Sequence, residues 1–231
     1  MTGLRLIGVR LRVGGSDLLR GFDLEVGPGA VTTVMGPSGC GKSSLLSYVC
    51  GTLEPAFEAE GDIWLNGAAI HELPAERRRV GILFQDDLLF PHLSVGENLA
   101  FALPRTVRGR ERQERIDAAL AEADLAGFGK RDPATLSGGQ RARVAVMRTL
   151  LAEPRALLLD EPFGKLDRAL RDRFRNFVFD HARAARLPTL LVTHDEADAE
   201  AAGGAVVAFP DTARSTPSRV LPLPGARRRP A

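Results

Sequence analysis

Gly36-Pro37-Ser38-Gly39-Cys40-Gly41-Lys42-Ser43 fits the pattern G-x-x-x-x-G-K-S/T and stands between an apolar run, Ala30–Met35, and a stretch from about Lys42 to Val49 that reads as a helix. Strand, glycine-rich loop and helix N-terminus in that order make a phosphate cradle. Glycines let backbone N–H groups curl around phosphate oxygens without Cβ clashes. The helix N-terminus adds free donors and partial positive charge. In this pattern Lys42 reaches the terminal phosphates and the Ser43 hydroxyl ligates Mg²⁺. A glycine turn followed by a chance Lys-Ser accounts for the residues but not for their setting. Gly36 through Ser44 is therefore read as the phosphate end of a nucleotide site.

A second element of the same chemistry lies far down the chain. Ala156–Leu159 is a continuous apolar run, typical of a buried strand, and it ends in Asp160-Glu161. Adjacent strand residues point to opposite sides, so the two acids can take different tasks. Asp160 can hold Mg²⁺, and Glu161 can act as general base on the attacking water. A strand ending in a polar turn is common, and the pair gains weight only from the phosphate loop that precedes it.

The rest of the chain alternates strands and helices. Leu4 to Val13 and Gly21 to Val26 read as strands around the Gly14-Gly15-Ser16-Asp17 turn. Ile63-Trp64-Leu65, ended by Asn66-Gly67, and Val80 to Phe84 are further strands. From about Asp87 to Glu153 the pattern becomes helical: Ser94 and Glu97 make a capping box, Ile116, Leu120 and Ala123 share a face, and Gly127 can end that helix. Asp167 can cap a later helix whose Leu170, Phe174, Phe177 and Val178 share a face, continued by His181 as a packing residue. Thr189–Val192 and Ala205–Phe209 are the last strands. Apolar, unalternating strands between helices predict an α/β fold with a parallel sheet covered on both sides.

Composition narrows the classes. The chain has 231 residues, 44% apolar and 26% charged, with 31 Lys plus Arg against 29 Asp plus Glu. That balance builds no field suited to nucleic acid as the main partner. Cys40 and Cys50 read as buried thiols of a reducing compartment. No signal peptide and no apolar run of roughly 18 residues is present, so a soluble chain is expected, with any membrane role through a partner. Arg77–Arg79 and the arginines from Arg105 to Arg115 read as solvated faces; His71 and His92 read as loop residues.

Leu136-Ser137-Gly138-Gly139-Gln140 follows the phosphate loop by about 100 residues. With it the chain resembles the ABC (ATP-binding cassette) ATPase family, from about Leu4 to Phe209. Ser137, Gly138 and Gly139 open a helix and offer a second anion cradle. The resemblance implies ATP and Mg²⁺ as ligands. It makes Gln85 a contact of Mg²⁺ and the attacking water, and His194 the switch histidine at the γ-phosphate. Gly164-Lys165-Leu166-Asp167 takes the place of a loop through which Asp167 contacts a second subunit; the family more often has Ser-Ala before Leu-Asp. The catalytic set is then Lys42, Gln85, Glu161 and His194, with Gln140 and Asp167 among the nucleotide contacts and Ser43, Gln85 and Asp160 on the metal.

The family's fold implies a P-loop core, an N-terminal antiparallel β subdomain and an inserted helical subdomain at about 87–153, one domain over 1–210, and a short tail over 211–231 without a regulatory domain. It implies a homodimer that shares its ATP sites and docks on membrane permease subunits through Asp86–Leu93. An extracytoplasmic binding protein is an indirect partner, and the chain is cytoplasmic, at the inner face of the membrane. The approach Leu73–Gly81 and the stretch Phe90–Val95 are similar to bacterial importers of the thiamine, polyamine, iron and sulfate types, closest to short subunits of the thiamine type. A cytosolic ABC ATPase acting on ribosomes or DNA is the rival reading, opposed by the single cassette; a module without turnover is opposed by Glu161, Gln85 and His194. No aromatic precedes the phosphate loop near Val13, so adenine is expected to pack on Val13 or the Arg12 stem, with loose base selectivity.

Overall fold

Alternation decides which strands face one side of the molecule and which face two. In the computed structural model, which describes residues 2–164, 166, 168–210 and 220–221, β1 (Leu4–Val13) and β2 (Ser16–Val26) pair antiparallel. β3 (Val31–Met35) leads through the phosphate loop into α1 (Lys42–Cys50). β4 (Phe57–Leu65) pairs with β1, and Asn66-Gly67, at φ 52° and 85°, turns it into β5 (Ala68–Ala69). α2 (Ala75–Arg78) and β6 (Val80–Leu83) follow. The helical insertion comprises α3 (Val95–Ala102), α4 (Gly109–Glu122) and α5 (Gly138–Leu151). The chain then runs through β7 (Ala156–Asp160), α6 (Arg168–Ala184), β8 (Thr189–Val192), α7 (Glu196–Ala202), β9 (Val206–Ala208) and β10 (Val220–Leu221).

Two sheets result. The antiparallel one has the order β2-β1-β4-β5, and the other, β10-β9-β3-β8-β7-β6, is parallel apart from β10. The parallel sheet is buried on both faces, and its residues divide by parity. Leu157, Leu159 and Leu191 enter a core with α3, α4, α5 and α6. Ala156, Leu158, Leu190 and Val192 enter a second core with α1 and the inner residues of β1, β2 and β4. The α/β fold with its antiparallel N-terminal sheet and inserted helices is as expected.

Several local expectations are corrected. β2 begins at Ser16 rather than Gly21. β4 begins at Phe57 rather than Ile63: its outward residues Glu58, Glu60 and Asp62 hide a strand whose odd positions turn inward. β6 stops at Leu83. α4 is ended by Asp124, in the left-handed region at φ 54°, and not by Gly127, which lies in a later turn. His181 is exposed at the edge of the Phe177 ring rather than packed. Arg78 is buried, 7% exposed, rather than solvated. Cys50 is buried but Cys40 is only partly so. Asp167, Lys165 and the side chain of Leu170 lie outside the described residues, as does the tail beyond Pro210 apart from β10, an edge strand that the tail was not expected to form.

Candidate functional site

The site gathers at the C-terminal ends of parallel strands, where loops leave the sheet. The phosphate loop follows β3. Gly41, at φ 104°, turns the chain into α1, which has no side-chain cap, so its first-turn N–H groups are left for an anion. Lys42 is buried, and its ammonium is folded across the loop, donating to the carbonyls of Gly36 at 2.9 Å and Pro37 at 2.6 Å, with the Cys40 Sγ at 3.8 Å.

β7 delivers the acids. Asp160 is its last residue and is buried; burial pushes its carboxyl above the usual carboxylate range, opposed by the Ser43 hydroxyl bond and Lys42 and reinforced by Glu161. Glu161 is not part of the strand. It sits in the left-handed region at φ 47°, its N–H donating to the Val192 carbonyl at 2.9 Å. A non-glycine residue held there is the kind of backbone strain that clusters at reacting centres. The turn separates the two carboxylates, a job the alternation of a strand had been expected to do.

His194 stands two residues beyond β8, and its Nδ1 lies 2.9 Å from Glu161 Oε1. In the tautomer that carries its proton on Nδ1, the imidazole donates to this carboxylate. The segment is braced from below. Asp195 caps α7 and takes a hydrogen bond at 2.9 Å from Arg171, whose other terminal nitrogen reaches the carbonyls of Gly164 and Leu166 at 3.4 Å. Thr193 donates to Asp198, which pairs with buried Arg175 at 3.1 Å. Burial raises the Asp198 carboxyl, and Arg175 opposes it. Neither arginine is visible in the sequence as part of the site, although Arg171 falls one helical turn after the Asp167 cap position.

These pieces enclose a cleft of roughly 450 Å³ lined by Ser38, Gly39, Gly41, Lys42, Ser43, Ser44, Gln85, Asp160 and Glu161, with Leu18 and Phe57 as its apolar members. Gln85 and Glu161 also line an adjoining hollow of roughly 300 Å³ with His194 and Arg171. Lys42, Ser43, Gln85, Asp160, Glu161 and His194 are thus brought together as expected. Ser137, Gly138, Gly139 and Gln140 line neither hollow. Ser137 caps α5 in a reciprocal box: its Oγ accepts from the Gln140 N–H at 3.3 Å, and Gln140 Oε1 accepts from the Ser137 N–H at 2.9 Å. Arg12 does not face the cleft; it is held by Glu58 at 2.8 Å and by Asp17.

The donor set fits Mg²⁺. A hydroxyl and a carboxylate are hard oxygen ligands, and among the described residues no group of three or more His, Cys, Asp or Glu gathers into an all-protein cage. Mg²⁺ is commonly held by one or two carboxylates and completed by substrate phosphates.

The ABC transporter family profile matches residues 19–164. An Escherichia coli K12 protein, the uncharacterized ABC transporter ATP-binding protein YnjD, is 52% identical over 193 residues, covering 84% of this chain and 89% of YnjD. The Fe(3+) ions import ATP-binding protein FbpC of Mesorhizobium japonicum is 40% identical over 206 residues, covering 86% of this chain; the chain spans 55% of that relative's length. Among solved structures, the dimer of MJ0796, a bacterial ABC transporter cassette, superposes with a TM-score of 0.78 at 28% identity, covering 89% of this chain and 94% of that one. On these grounds, and with the phosphate loop, acid pair and signature helix in place, the chain belongs to the ABC transporter family as an ATP-binding, ATP-hydrolysing cassette.

Proposed function

We propose that the chain powers an importer as a homodimer, each ATP lying between Gly36–Ser44 of one protomer and Ser137–Gly139 of the other. The observation that carries this reading is that Ser137–Gln140, at the glycine-opened start of α5, lines neither of the hollows that hold Lys42, Ser43 and Glu161 in the same chain. The iron-import relative supports the importer direction, and the dimeric cassette supports the pairing. Permease subunits dock on the groove of roughly 410 Å³ formed by Asp86–Leu89, Pro91, Pro133, Ala134 and Arg141. Leu88 of this groove and Phe101 on α3 are exposed apolar residues, at 58% and 69%, and Phe101 stands edge-on to Phe90 at 4.8 Å. Among the described residues no helix is long and apolar enough to cross a membrane. In this reading the permease subunits hold the chain at the inner face of the membrane. An extracytoplasmic binding protein delivers cargo to the permease.

In the mechanism, the phosphate loop and Lys42 hold the β- and γ-phosphates. Ser43, Asp160 and Gln85 would hold Mg²⁺, which supplies charge neutralisation on the phosphate oxygens. Glu161 takes a proton from the attacking water, and His194 orients the Glu161 carboxylate. Closure of the dimer brings Ser137 and the Gly138–Gly139 amides to the γ-phosphate, and loss of that phosphate reopens it. Glu161→Gln keeps the contacts and removes the base. It should bind ATP, hydrolyse about 10²–10⁴-fold more slowly, and sediment as a dimer in saturating Mg-ATP. A monomeric variant under those conditions refutes the shared-site mechanism.

A further inference from the structure

We propose that Phe57 is the platform on which the purine base of the nucleotide stacks, with Leu18 closing its edge. The proposal rests on the nucleotide reading of the phosphate loop and names the residue that reads the base.

In the pairing of β1 with β4, Phe57 stands opposite Val13, Glu58 opposite Arg12 and Ala59 opposite Leu11. Side chains alternate along a strand, so Phe57, Val13, Ala59 and buried Leu11 share the inner face. Arg12 and Glu58 occupy the outer face and are tied to each other. An aromatic ring thus stands on the inward face beside Val13, supplied by the neighbouring strand rather than by β1.

The chemistry of the cleft points the same way. Apart from Leu18 and Phe57, the cleft is walled by loop residues, a lysine, hydroxyls, a glutamine and two carboxylates. A nucleoside triphosphate has a charged end that matches those groups and a π-faced base that does not. Leu18 abuts the loop itself, since a Cβ on Gly41 would lie 3.4 Å from the Leu18 Cβ. The apolar end is therefore continuous with the phosphate end, as one ligand requires.

Phe57 also belongs to neither hydrophobic core: it is half-buried, yet among the described residues it packs against neither, whereas Leu18, Tyr48 and Ala59 do. Its backbone is fixed nonetheless, the N–H donating to the Glu54 carbonyl at 3.0 Å. A half-open ring on a backbone already held in register leaves only its own side chain to order when a base lies on it.

Titration calorimetry of the full chain with ATP, GTP and inorganic tripolyphosphate, each with Mg²⁺, tests this. Base–aromatic stacking lost on alanine substitution corresponds to roughly 5- to 150-fold in affinity. Phe57→Ala should weaken ATP and GTP within that range and leave tripolyphosphate within about twofold. Phe57→Leu, which keeps apolar volume at the start of β4 should the alanine variant fold poorly, should show the same split, and Phe57→Tyr should restore purine binding. Wild-type ATP affinity in both the alanine and leucine variants, or an equal loss for tripolyphosphate, overturns the platform while the nucleotide site stands. A wild-type chain that binds no ATP overturns both.

Discussion

Arg78 should be the strut that holds the far end of the phosphate-loop helix, and replacing it should cost more stability than any solvated arginine could. Its guanidinium donates to the carbonyls of Tyr48 at 2.6 Å and Val49 at 3.1 Å in the last turn of α1, and to those of His71 at 2.6 Å and Leu73 at 2.7 Å. The side chain lies over Gly51, where a Cβ would come within 2.7 Å of Arg78 Nε and where φ is 86°. Burial lowers the guanidinium pKa, which marks the desolvation cost the four bonds offset. Arg78→Met keeps the apolar stem and removes every donor. The Tyr48 carbonyl retains the Gly51 N–H at 3.2 Å; the other three lose a charged partner. An unsatisfied buried acceptor costs about 1–3 kcal/mol, and the favourable cation at a helix C-terminus is lost as well. Allowing for relaxation and water entry, the expected loss is about 3–5 kcal/mol, which for a domain of this size lowers the melting temperature by roughly 6–20 °C. Thermal melts of the nucleotide-free chain followed by circular dichroism measure it, with exposed Arg77→Met as the control expected within about 2 °C of wild type. If both variants melt alike, the four carbonyls are served by solvent and Arg78 is no strut.

Two other substitutions probe function. Because burial raises the Asp160 carboxyl, its ionised form is costlier in the folded chain than in the unfolded one. That cost is fully present at neutral pH and fades as pH falls toward the ordinary carboxylate value. Asp160→Asn should therefore raise the melting temperature without nucleotide at pH 7, by less as the pH is lowered, while abolishing the Mg²⁺-dependent part of ATP binding; an unaltered melt with Mg²⁺ dependence retained would separate Asp160 from the metal. Phe101→Ser should reduce recovery of the chain with co-expressed permease subunits while lowering stability by no more than about 1.5 kcal/mol, the worth of its edge-on contact with Phe90; undiminished recovery would move the docking surface elsewhere.

The residues that could be read from the sequence are those whose chemistry demands contiguity. A phosphate loop, an acidic strand end and a signature turn each need neighbours in order, so Lys42, Ser43, Asp160, Glu161 and Ser137 announce themselves. Phe57 does not, because the strand that carries it alternates with Glu58, Glu60 and Asp62 and resembles a polar loop. Counting back along β4 from the Asn66-Gly67 turn reaches the position opposite Val13 only once the pairing of β4 with β1 is known. Arg78 is hidden for another reason: the carbonyls that justify burying it come from α1 and from the loop before α2, elements with no local pattern linking them. His181 shows the limit of periodicity. Phe174, Val178 and Ala182 at four-residue spacing are buried, and Phe177 with His181 lies at the rim of that stripe, where one helical step of 100° decides exposure.

The two helix starts proposed to face phosphate complete a physical argument for a second copy. α1 opens on glycine with no side-chain cap, and the phosphate loop of its own chain leads into it. α5 opens with a Ser137–Gln140 box that serves the Gln140 and Ser137 amides, and among the described residues no side chain accepts from the amides of Gly138 or Gly139. Water can serve those donors while the chain is alone. Only a multiply charged anion brought from outside uses the helix dipole, both glycine amides and the Ser137 hydroxyl together. In the proposed mechanism that anion is the triphosphate held at Lys42, and the chain cannot fold Ser137 onto its own Lys42 without dismantling the core that Val144, Ala145, Val146 and Met147 form with Leu157 and Leu159. A second protomer supplies the missing half at no such cost. The γ-phosphate is then the only part of ATP that both cradles need at once, and its hydrolysis is what can release them.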